Sequence, residues 1–454
     1  MLGKLAELLR EAEADFADIR YELRKDVNVV FAGSDLKSVV ESSTDGYVVR
    51  VLRNGGFASA TVTSPEDVPE GLKLAAEGAD AIVRSGGKTV GLYPVEPVED
   101  SVEPELDGDP QSVPPEEKIS LVRGYNDAML SRDRVETTNL RYLEVMRDKY
   151  YVNSEGSAIN EKLLTTGIGG EVIAKKGNLV QNIRLAIGGS DGFNRLVDRD
   201  EHFHERAGIA ERLLDAEPVK GGTYNVVLSP LLTGVFTHEA FGHFSEADLV
   251  EDNPSLREKM SLGAELGSEE VTIAADSTLP GQLGYYRYDD EGVPVRKVVL
   301  MRDGVLTGRL HSRRTATEFD EEPTGHAVAE DYRYPPIVRM GTIFIQPGDK
   351  PFPDLIAELG DGLYLVDGKG GQTSGENFTF GAQYGFVVEG GEIGAMVRDI
   401  NIMGNLFTTL KSIAARSNQL ELSERGGCGK GQLNIRSALG GPHILVTDMI
   451  VGGV

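Results

Sequence analysis

The stretch THEAFGHFSEAD at 237–248 holds two histidines and a glutamate at a spacing that could bind a metal. In helical zinc sites the two histidines stand four residues apart, and a glutamate directly after the first acts as general base. Here His243 follows His238 by five residues, with Glu239 next to His238. At about 100° of rotation per residue, an ideal α-helix would place the two imidazoles roughly 140° apart around the axis. We therefore predict that the helix widens by one residue into a π-turn or unwinds at Gly242.

A catalytic zinc normally takes three protein ligands, so the two histidines need a third. The candidates, near and far in sequence, are Glu246, Asp248, His202, His204, His311, His326, His443 and Cys428. Cys428 lies in ERGGCGKGQ, where glycines allow close backbone approach and two cations, Arg425 and Lys430, favour the thiolate. The spacing is equally compatible with two hydrogen-bonded histidines in a core helix. A lone cysteine is more commonly a small buried apolar residue.

The elements that would position these residues indicate an α+β protein. Apolar and polar residues alternate over 17–61 and again over 138–190, which predicts antiparallel strands, and 66–84 and 200–216 have helical patterns. From Gly222 onward the chain is glycine-rich and strand-dominated, interrupted by one helix that begins at Ser229 and Pro230 and carries the motif. We predict an N-terminal α+β domain at 1–92, a Pro-rich acidic linker at 93–117, a central α+β domain at 118–216 and a strand-rich C-terminal domain at 217–454.

The charge of the chain argues against several classes of function. Its 454 residues carry a formal net charge of -26 with a pI near 4.7, which repels phosphate backbones and anionic lipid. We therefore expect neither nucleic-acid binding nor a role at a membrane surface. No stretch approaches the roughly 20 apolar residues that span a bilayer, and charges interrupt the first helical pattern, unlike a signal peptide. We expect a cytoplasmic protein. A single cysteine excludes an internal disulfide.

Two strings together, HEAFGH at 238–243 and CGKGQ at 428–432, are similar to those of a known family. Further matching segments are YVNSEG at 151–156, GGQTSGENFTF at 370–380 and VRDINIMGN at 397–405. Over nearly its whole length the chain resembles the TldD/PmbA family of metallopeptidases, and specifically its catalytic TldD-type members. The resemblance implies that His238, His243 and Cys428 hold one zinc per chain and that Glu239 is the general base.

Four residues near the implied ligands and general base are expected to support them. Glu246 and Asp248 match acidic positions that are common after the motif, and we expect them to orient the ligands through hydrogen bonds. His326 and Arg425 are candidates for stabilising an oxyanion.

These residues predict zinc-dependent hydrolysis of peptide bonds in unfolded or small peptides. An extended peptide could add to a sheet edge, which requires little sequence readout. The resemblance implies a dimer, either of two copies or of this chain with a PmbA-type paralogue. Two alternatives are a non-catalytic protein that binds a regulatory partner and a metal hydrolase acting on a non-peptide amide.

Overall fold

The computed structural model describes residues 1–10, 12–424 and 426–453 and confirms the α+β class. The first seven strands, all in one sheet, are β1 (Phe16–Ala32), β2 (Asp35–Arg53), β3 (Gly56–Val62), β4 (Glu99–Val102), β5 (Val135–Asn153), β6 (Ala158–Lys176) and β7 (Leu179–Gly189). Their order is β3-β2-β1-β5-β6-β4, with β7 also paired to β6. The helices are α1 (Leu2–Leu9), α2 (Val68–Arg84), α3 (Pro115–Leu130), α4 (Asp200–Leu213), α5 (Pro230–Phe236), α6 (Ala247–Val250), α7 (Pro254–Lys259), α8 (Arg313–Phe319), α9 (Phe352–Leu359) and α10 (Leu406–Lys411).

Strand β1 joins the two segments that the sequence analysis treats as separate domains. It pairs antiparallel with β2 on one side and with β5 on the other. The segment interpreted as a linker at 93–117 contributes β4, which pairs in parallel with β6 from Glu99 to Val102. Residues 16–62 and 135–189 therefore share one sheet, and the division at 93–117 stays a prediction.

The two faces of this sheet differ in chemistry because successive strand residues point to opposite sides. On one face Ile19 and Val49 pack with Leu5 of α1 and Leu72 of α2. Further along the sheet, α3 and α4 pack on β5, β6 and β7. The helices thus cover the apolar face.

The opposite face carries buried charges that contact the C-terminal region. Asp18, Arg20 and Glu22 alternate with the apolar residues of β1 and are buried. The ion pairs of this face are Arg50–Asp18, Arg50–Glu291 at 2.8 Å, Arg147–Glu22 at 2.7 Å, Lys149–Asp290 at 3.2 Å and Arg20–Asp290 at 3.5 Å. A buried charge is tolerated only where it is paired, so these contacts restrict how the sheet can sit on residues 289–291.

The remaining strands form the region that holds the motif. They are β8 (Glu217–Pro218), β9 (Gly222–Leu228), β10 (Ile273–Ala275), β11 (Val298–Arg302), β12 (Val305–Leu306), β13 (Ala327–Val328), β14 (Ile337–Val338), β15 (Thr342–Ile345), β16 (Gly362–Ser374), β17 (Asn377–Glu389), β18 (Glu392–Arg398), β19 (Ile400–Asn405), β20 (Ile413–Arg416), β21 (Glu421–Leu422), β22 (Ala438–Gly441) and β23 (Ile444–Gly453). Strands β16, β9, β23, β19 and β17 pair in that order, and β17 pairs back with β16, which closes a ring. A second sheet has the order β12-β11-β10-β15-β22-β21.

The motif helix lies between these two sheets. Helix α5 contacts β16 of the ring and both β15 and β22 of the second sheet, and one apolar core spans both. Leu232 and Phe236 of α5 are fully buried in that core. Within the described residues, no helix is long and apolar enough to cross a membrane.

Candidate metal centre

The motif segment leaves regular α-helical geometry at the first histidine. Helix α5 begins at Pro230, after an extended Ser229 whose side chain caps no helical N–H. It continues as a π-helical turn from Thr237 to Phe241 and then as a 3₁₀ turn from Gly242 to Ser245. The predicted widening is confirmed, and the π-turn absorbs the additional residue. The rings of His238 and His243 consequently lie 5.4 Å apart, centroid to centroid.

Cys428 completes a group of three possible metal ligands. Its Sγ lies 2.9 Å from His238 Nε2 and 3.4 Å from His243 Nε2, and the three atoms are all within 4.8 Å of one another. The cysteine is held by a short antiparallel bridge, in which its N–H donates to the carbonyl of Ile435 at 2.9 Å and its carbonyl accepts at 3.0 Å. The fold thus brings together residues 185 positions apart in sequence.

This donor set suits zinc. Imidazole nitrogen and thiolate sulfur are its usual ligands, and Zn–N and Zn–S bonds of tetrahedral geometry place N and S about 3.6 Å apart. The 3.4 Å distance from Cys428 Sγ to His243 Nε2 is close to that value, and the 2.9 Å distance to His238 Nε2 is shorter, as in a direct hydrogen bond. Three protein donors leave a fourth position for water or substrate.

Glu239 is placed differently from the three possible ligands. Its side chain is 39% exposed, and its carboxylate Oε2 lies 3.9 Å from His243 Nε2. The carbonyl of Glu239 accepts a 3.4 Å hydrogen bond from the hydroxyl of Thr373 in β16. The carboxylate is therefore beside the donor set and open to solvent.

Glu246 contacts the outer nitrogen of one histidine. Its buried carboxylate lies 3.0 Å from His243 Nδ1 through Oε2, and Oε1 accepts from the N–H of Met340 at 3.3 Å. Such a contact fixes the ring orientation and directs Nε2 toward the metal position. Asp248 contacts neither histidine: its Oδ2 accepts from the N–H of Val338 at 3.2 Å.

Two cations behind Glu246 complete the surroundings. Lys430 Nζ lies 3.0 Å from Glu246 Oε2, 2.6 Å from Asp248 Oδ1 and 2.9 Å from the carbonyl of Val338. Arg339 is fully buried, with Nε 3.4 Å from Glu246 Oε1. The sequence analysis named Lys430 only as a cation near the cysteine. It missed Arg339, for which the sequence carries no signal.

The charges of this cluster depend on one another. Burial raises the pKa of Cys428, but hydrogen bonds from the two histidines outweigh it and lower the pKa to about 6. Burial lowers the pKa of His243, but its contacts with Cys428 and Glu246 raise that pKa to about 10. Burial raises the pKa of Glu246, but the positive charges of His243, Lys430 and Arg339 outweigh it and lower the pKa to about 2. Without metal at neutral pH, the thiolate and an imidazolium form an ion pair.

The other candidates lie apart from the donor set. Among the described residues, the group of His238, His243 and Cys428 is the only one with the proximity that a metal site needs. His326 is fully buried, its Nδ1 lies 2.9 Å from the carbonyl of Thr324, and burial lowers its pKa to about 4. Contacts elsewhere hold His202, His204, His311 and His443. Arg425 lies outside the described residues.

Comparisons with known proteins match nearly the whole chain. The model of the PmbA/TldA metallopeptidase C-terminal domain matches residues 221–453, and those of domain 1 and the central domain match 17–83 and 108–215. A metalloprotease from Synechocystis sp. is 36% identical over 98% of this chain and 96% of its own length. A zinc metalloprotease TldD homolog from Saccharolobus solfataricus is 29% identical over 99% of both chains.

Solved structures share the fold. TldE from Thermococcus kodakarensis superimposes with a TM-score of 0.82 over 99% of this chain and 100% of its own, at 20% sequence identity. Three matching family models and relatives of nearly the same length leave one assignment: the chain belongs to the TldD/PmbA family of metallopeptidases.

Proposed function

We propose that this chain is a zinc-dependent peptidase that hydrolyses peptide bonds in unfolded or small peptides. His238, His243 and Cys428 hold one zinc, and Glu239 is the general base. The observation that carries the proposal is the convergence of two imidazoles and a distant thiol on one point beside a solvent-open carboxylate. A protein that only bound a partner would have no need for this combination.

The residues of the site divide the work of hydrolysis among them. When bound, zinc in such a set lowers the pKa of a water ligand and polarises the scissile carbonyl. Glu239 Oε2 accepts a proton from the attacking water and donates it to the leaving amine. Glu246 holds Nδ1 of His243, which keeps Nε2 directed at the donor set. Lys430 pairs with both Glu246 and Asp248 and joins the cysteine loop to the motif.

The edge of strand β16 supports an extended mode of substrate binding. Its pairing with β9 ends at Leu365, whereas the strand continues to Ser374, and residues 370–374 are exposed. Thr373 on this stretch contacts the backbone of Glu239. A peptide that added to this edge would pass the donor set and be held by backbone hydrogen bonds. Such binding favours unfolded chains and depends little on the side chains of the peptide.

The proposal includes an assembly of two chains, either two copies or this chain with a PmbA-type paralogue. The similarity to TldE supports the second arrangement. Sedimentation of the purified chain with and without such a paralogue would distinguish them.

Zinc content and activity of matched variants test the proposal. We expect about one zinc per chain in the wild type and in Glu239→Ala, none in Cys428→Ala, and cleavage of an unfolded peptide by the wild type alone. If Cys428→Ala keeps its zinc, the ligand set is wrong. If no form binds metal, the partner-binding alternative takes its place. A panel of small amides beside the peptides tests the non-peptide alternative.

A further inference from the structure

A cavity of about 330 Å³ lies where the first sheet meets the cysteine loop. Its walls come from strands β1, β5 and β6 and from Gly426 and Gly427 of the loop. Gly427 directly precedes Cys428, so their Cα atoms are about 3.8 Å apart. The cavity therefore lies directly beside the loop that carries the third possible ligand.

The cavity is basic although the protein as a whole is strongly acidic. Its charged lining residues are Arg24, Arg141, Arg147, Arg436, Asp26 and Glu330. At physiological salt a charge is screened over about 8 Å, so a ligand inside responds to these groups more than to the distant acidic surface. The local field favours an anion.

Two of the four arginines have their charge balanced by a carboxylate. Arg24 pairs with Asp26 at 2.7 Å, and Arg147 makes two 2.7 Å contacts with Glu22.

The other two contact only neutral groups among the described residues. Arg141 is exposed and donates to the side-chain oxygen of Asn28 at 2.8 Å. Arg436 donates to the carbonyls of Leu164 at 2.7 Å and Tyr285 at 3.3 Å and to the Thr165 hydroxyl at 2.9 Å. Arg141 and Arg436 thus lack a directly bonded counterion in the described part of the chain, and with Glu330 also in the lining the cavity keeps a net positive charge.

Arg436 also lies close to a like charge. Burial and the neighbouring Arg147 lower its pKa to about 10, so it stays charged at neutral pH. An anion in the cavity would relieve this repulsion. A guanidinium binds a carboxylate through parallel N–H donors, which makes a carboxylate a well-matched anion.

We propose that this cavity binds a carboxylate of the peptide substrate and that the enzyme prefers peptides carrying one near the scissile bond. The inference rests on the proposed function and adds the substrate class. The carboxylate comes from the C-terminus of the peptide or from an aspartate or glutamate side chain. Both present the same chemistry to the arginines.

Two peptide pairs and two protein variants test the inference. One pair differs in a C-terminal carboxylate or amide, and the other in an internal aspartate or asparagine. We expect one carboxylate member to have about tenfold higher kcat/KM than its neutral counterpart, because charge-assisted hydrogen bonds are roughly twice as strong as neutral ones. The pair that shows the difference identifies the source. Arg141→Gln should remove most of the preference, and the matched control Arg84→Gln, at the exposed end of α2, should retain it.

A binding measurement separates failure of this inference from failure of the proposed function. Fluorescence anisotropy of the same labelled peptides on Glu239→Gln requires no hydrolysis, and binding of the carboxylate member should be tighter and weaken with added salt. If the wild type cleaves both members of each pair equally and both bind equally, the inference is wrong while the peptidase stands. If nothing is cleaved but the carboxylate preference in binding remains, the peptidase proposal fails and the cavity stands.

Discussion

At the residue scale, Lys430 joins two parts of the centre that are far apart in sequence. It lies two positions after Cys428, and its ammonium group contacts both Glu246 and Asp248 of the motif segment. Glu246 in turn contacts His243. One lysine therefore connects the thiol to an imidazole through a carboxylate, and its effect should appear in metal affinity.

We expect Lys430→Met to weaken zinc binding by about 10- to 100-fold, the usual effect of removing a group that supports metal ligands. Lys430→Arg keeps the charge and should restore part of the affinity. Competition with a chromogenic chelator measures the dissociation constant. The exposed Lys4→Met is the matched control and should bind zinc like the wild type. Unchanged zinc affinity in Lys430→Met would show that this lysine does not support the metal ligands.

Zinc binding should release protons in a pattern set by two residues. Between pH 6 and 10 the metal-free pair holds one proton on His243, because the pKa of His243 is about 10 and that of Cys428 about 6. Zinc needs the neutral imidazole, so each zinc bound at pH 8 should release about one proton, and affinity should fall about tenfold per pH unit as the pH falls. Below pH 6 the thiol is protonated as well and the slope steepens.

Calorimetry in buffers of different ionisation enthalpy counts these protons. Cys428→Ser removes one of the two groups that raise the pKa of His243, while Glu246 remains, so at pH 8 this variant should release fewer protons than the wild type on any zinc it binds. Release of no proton by the wild type at pH 8 would contradict the ion pair.

At the element scale, the motif helix depends on a close approach to β22. A Cβ built on Gly234 would lie 2.5 Å from the backbone nitrogen of Gly440 and 2.6 Å from its Cα. Because these are backbone atoms, no side chain can move aside to make room. The two glycines thus set the distance between α5 and the strand that follows the cysteine loop.

We expect Gly234→Ala to destabilise the protein by at least about 1–3 kcal/mol through overpacking and to lower zinc occupancy by shifting His238 away from Cys428. Gly124→Ala is the matched control, since Gly124 lies inside α3 with nothing within 4 Å of its added Cβ. That change should stabilise by up to about 1 kcal/mol through helix propensity. Denaturant unfolding and zinc analysis check both. Equal stability of the two variants would show that α5 can move freely.

The sequence predicts the distortion of this helix but not its full form. Histidines five apart cannot share a face of an α-helix, so spacing alone requires a widening or an unwinding. Both occur in succession, as the π-turn ends at Phe241 and a 3₁₀ turn begins at Gly242. The choice depends on tertiary packing, since a Cβ on Gly242 would meet Met340 Sδ at 2.1 Å.

Three other features could not be predicted from sequence patterns, because they too depend on contacts between distant parts of the chain. The third ligand stayed open among eight candidates until a family resemblance favoured Cys428, because no local spacing relates it to the histidines. Strand β4 has no apolar alternation, and it forms because β6 offers an edge for pairing. Arg339 gave no signal because the carboxylate that it contacts, that of Glu246, lies 93 positions away in the sequence.

At the scale of the whole molecule, the first sheet makes the N-terminal and central segments dependent on each other. Strand β1 pairs with β5 from Asp18 to Ala32, so a chain cut within 93–117 would leave that edge without its partner. A long unpaired edge recruits strands from other molecules. The charged face of the first sheet behaves differently from this edge, because water can hydrate its charged residues when the C-terminal region is removed.

We therefore expect a fragment of residues 1–92 to aggregate and a fragment of residues 1–219 to be monomeric and folded. Size-exclusion chromatography with light scattering, together with amide NMR spectra, measures both properties. A folded, monomeric 1–92 fragment would show that the N-terminal segment is independent, as the sequence analysis predicts. An aggregated 1–219 fragment would show that the charged face requires the C-terminal region.

The separation of Cys428 from the histidines also has a consequence for synthesis. During translation His238 and His243 emerge from the ribosome long before Cys428. The ring of five strands cannot close until β23 has also emerged to pair with β9 and β19. A growing chain therefore carries an incomplete ligand set for most of its translation. If the proposed activity is correct, the ability to cut peptides arises only as translation nears its end, which protects the unfolded nascent chain from its own chemistry.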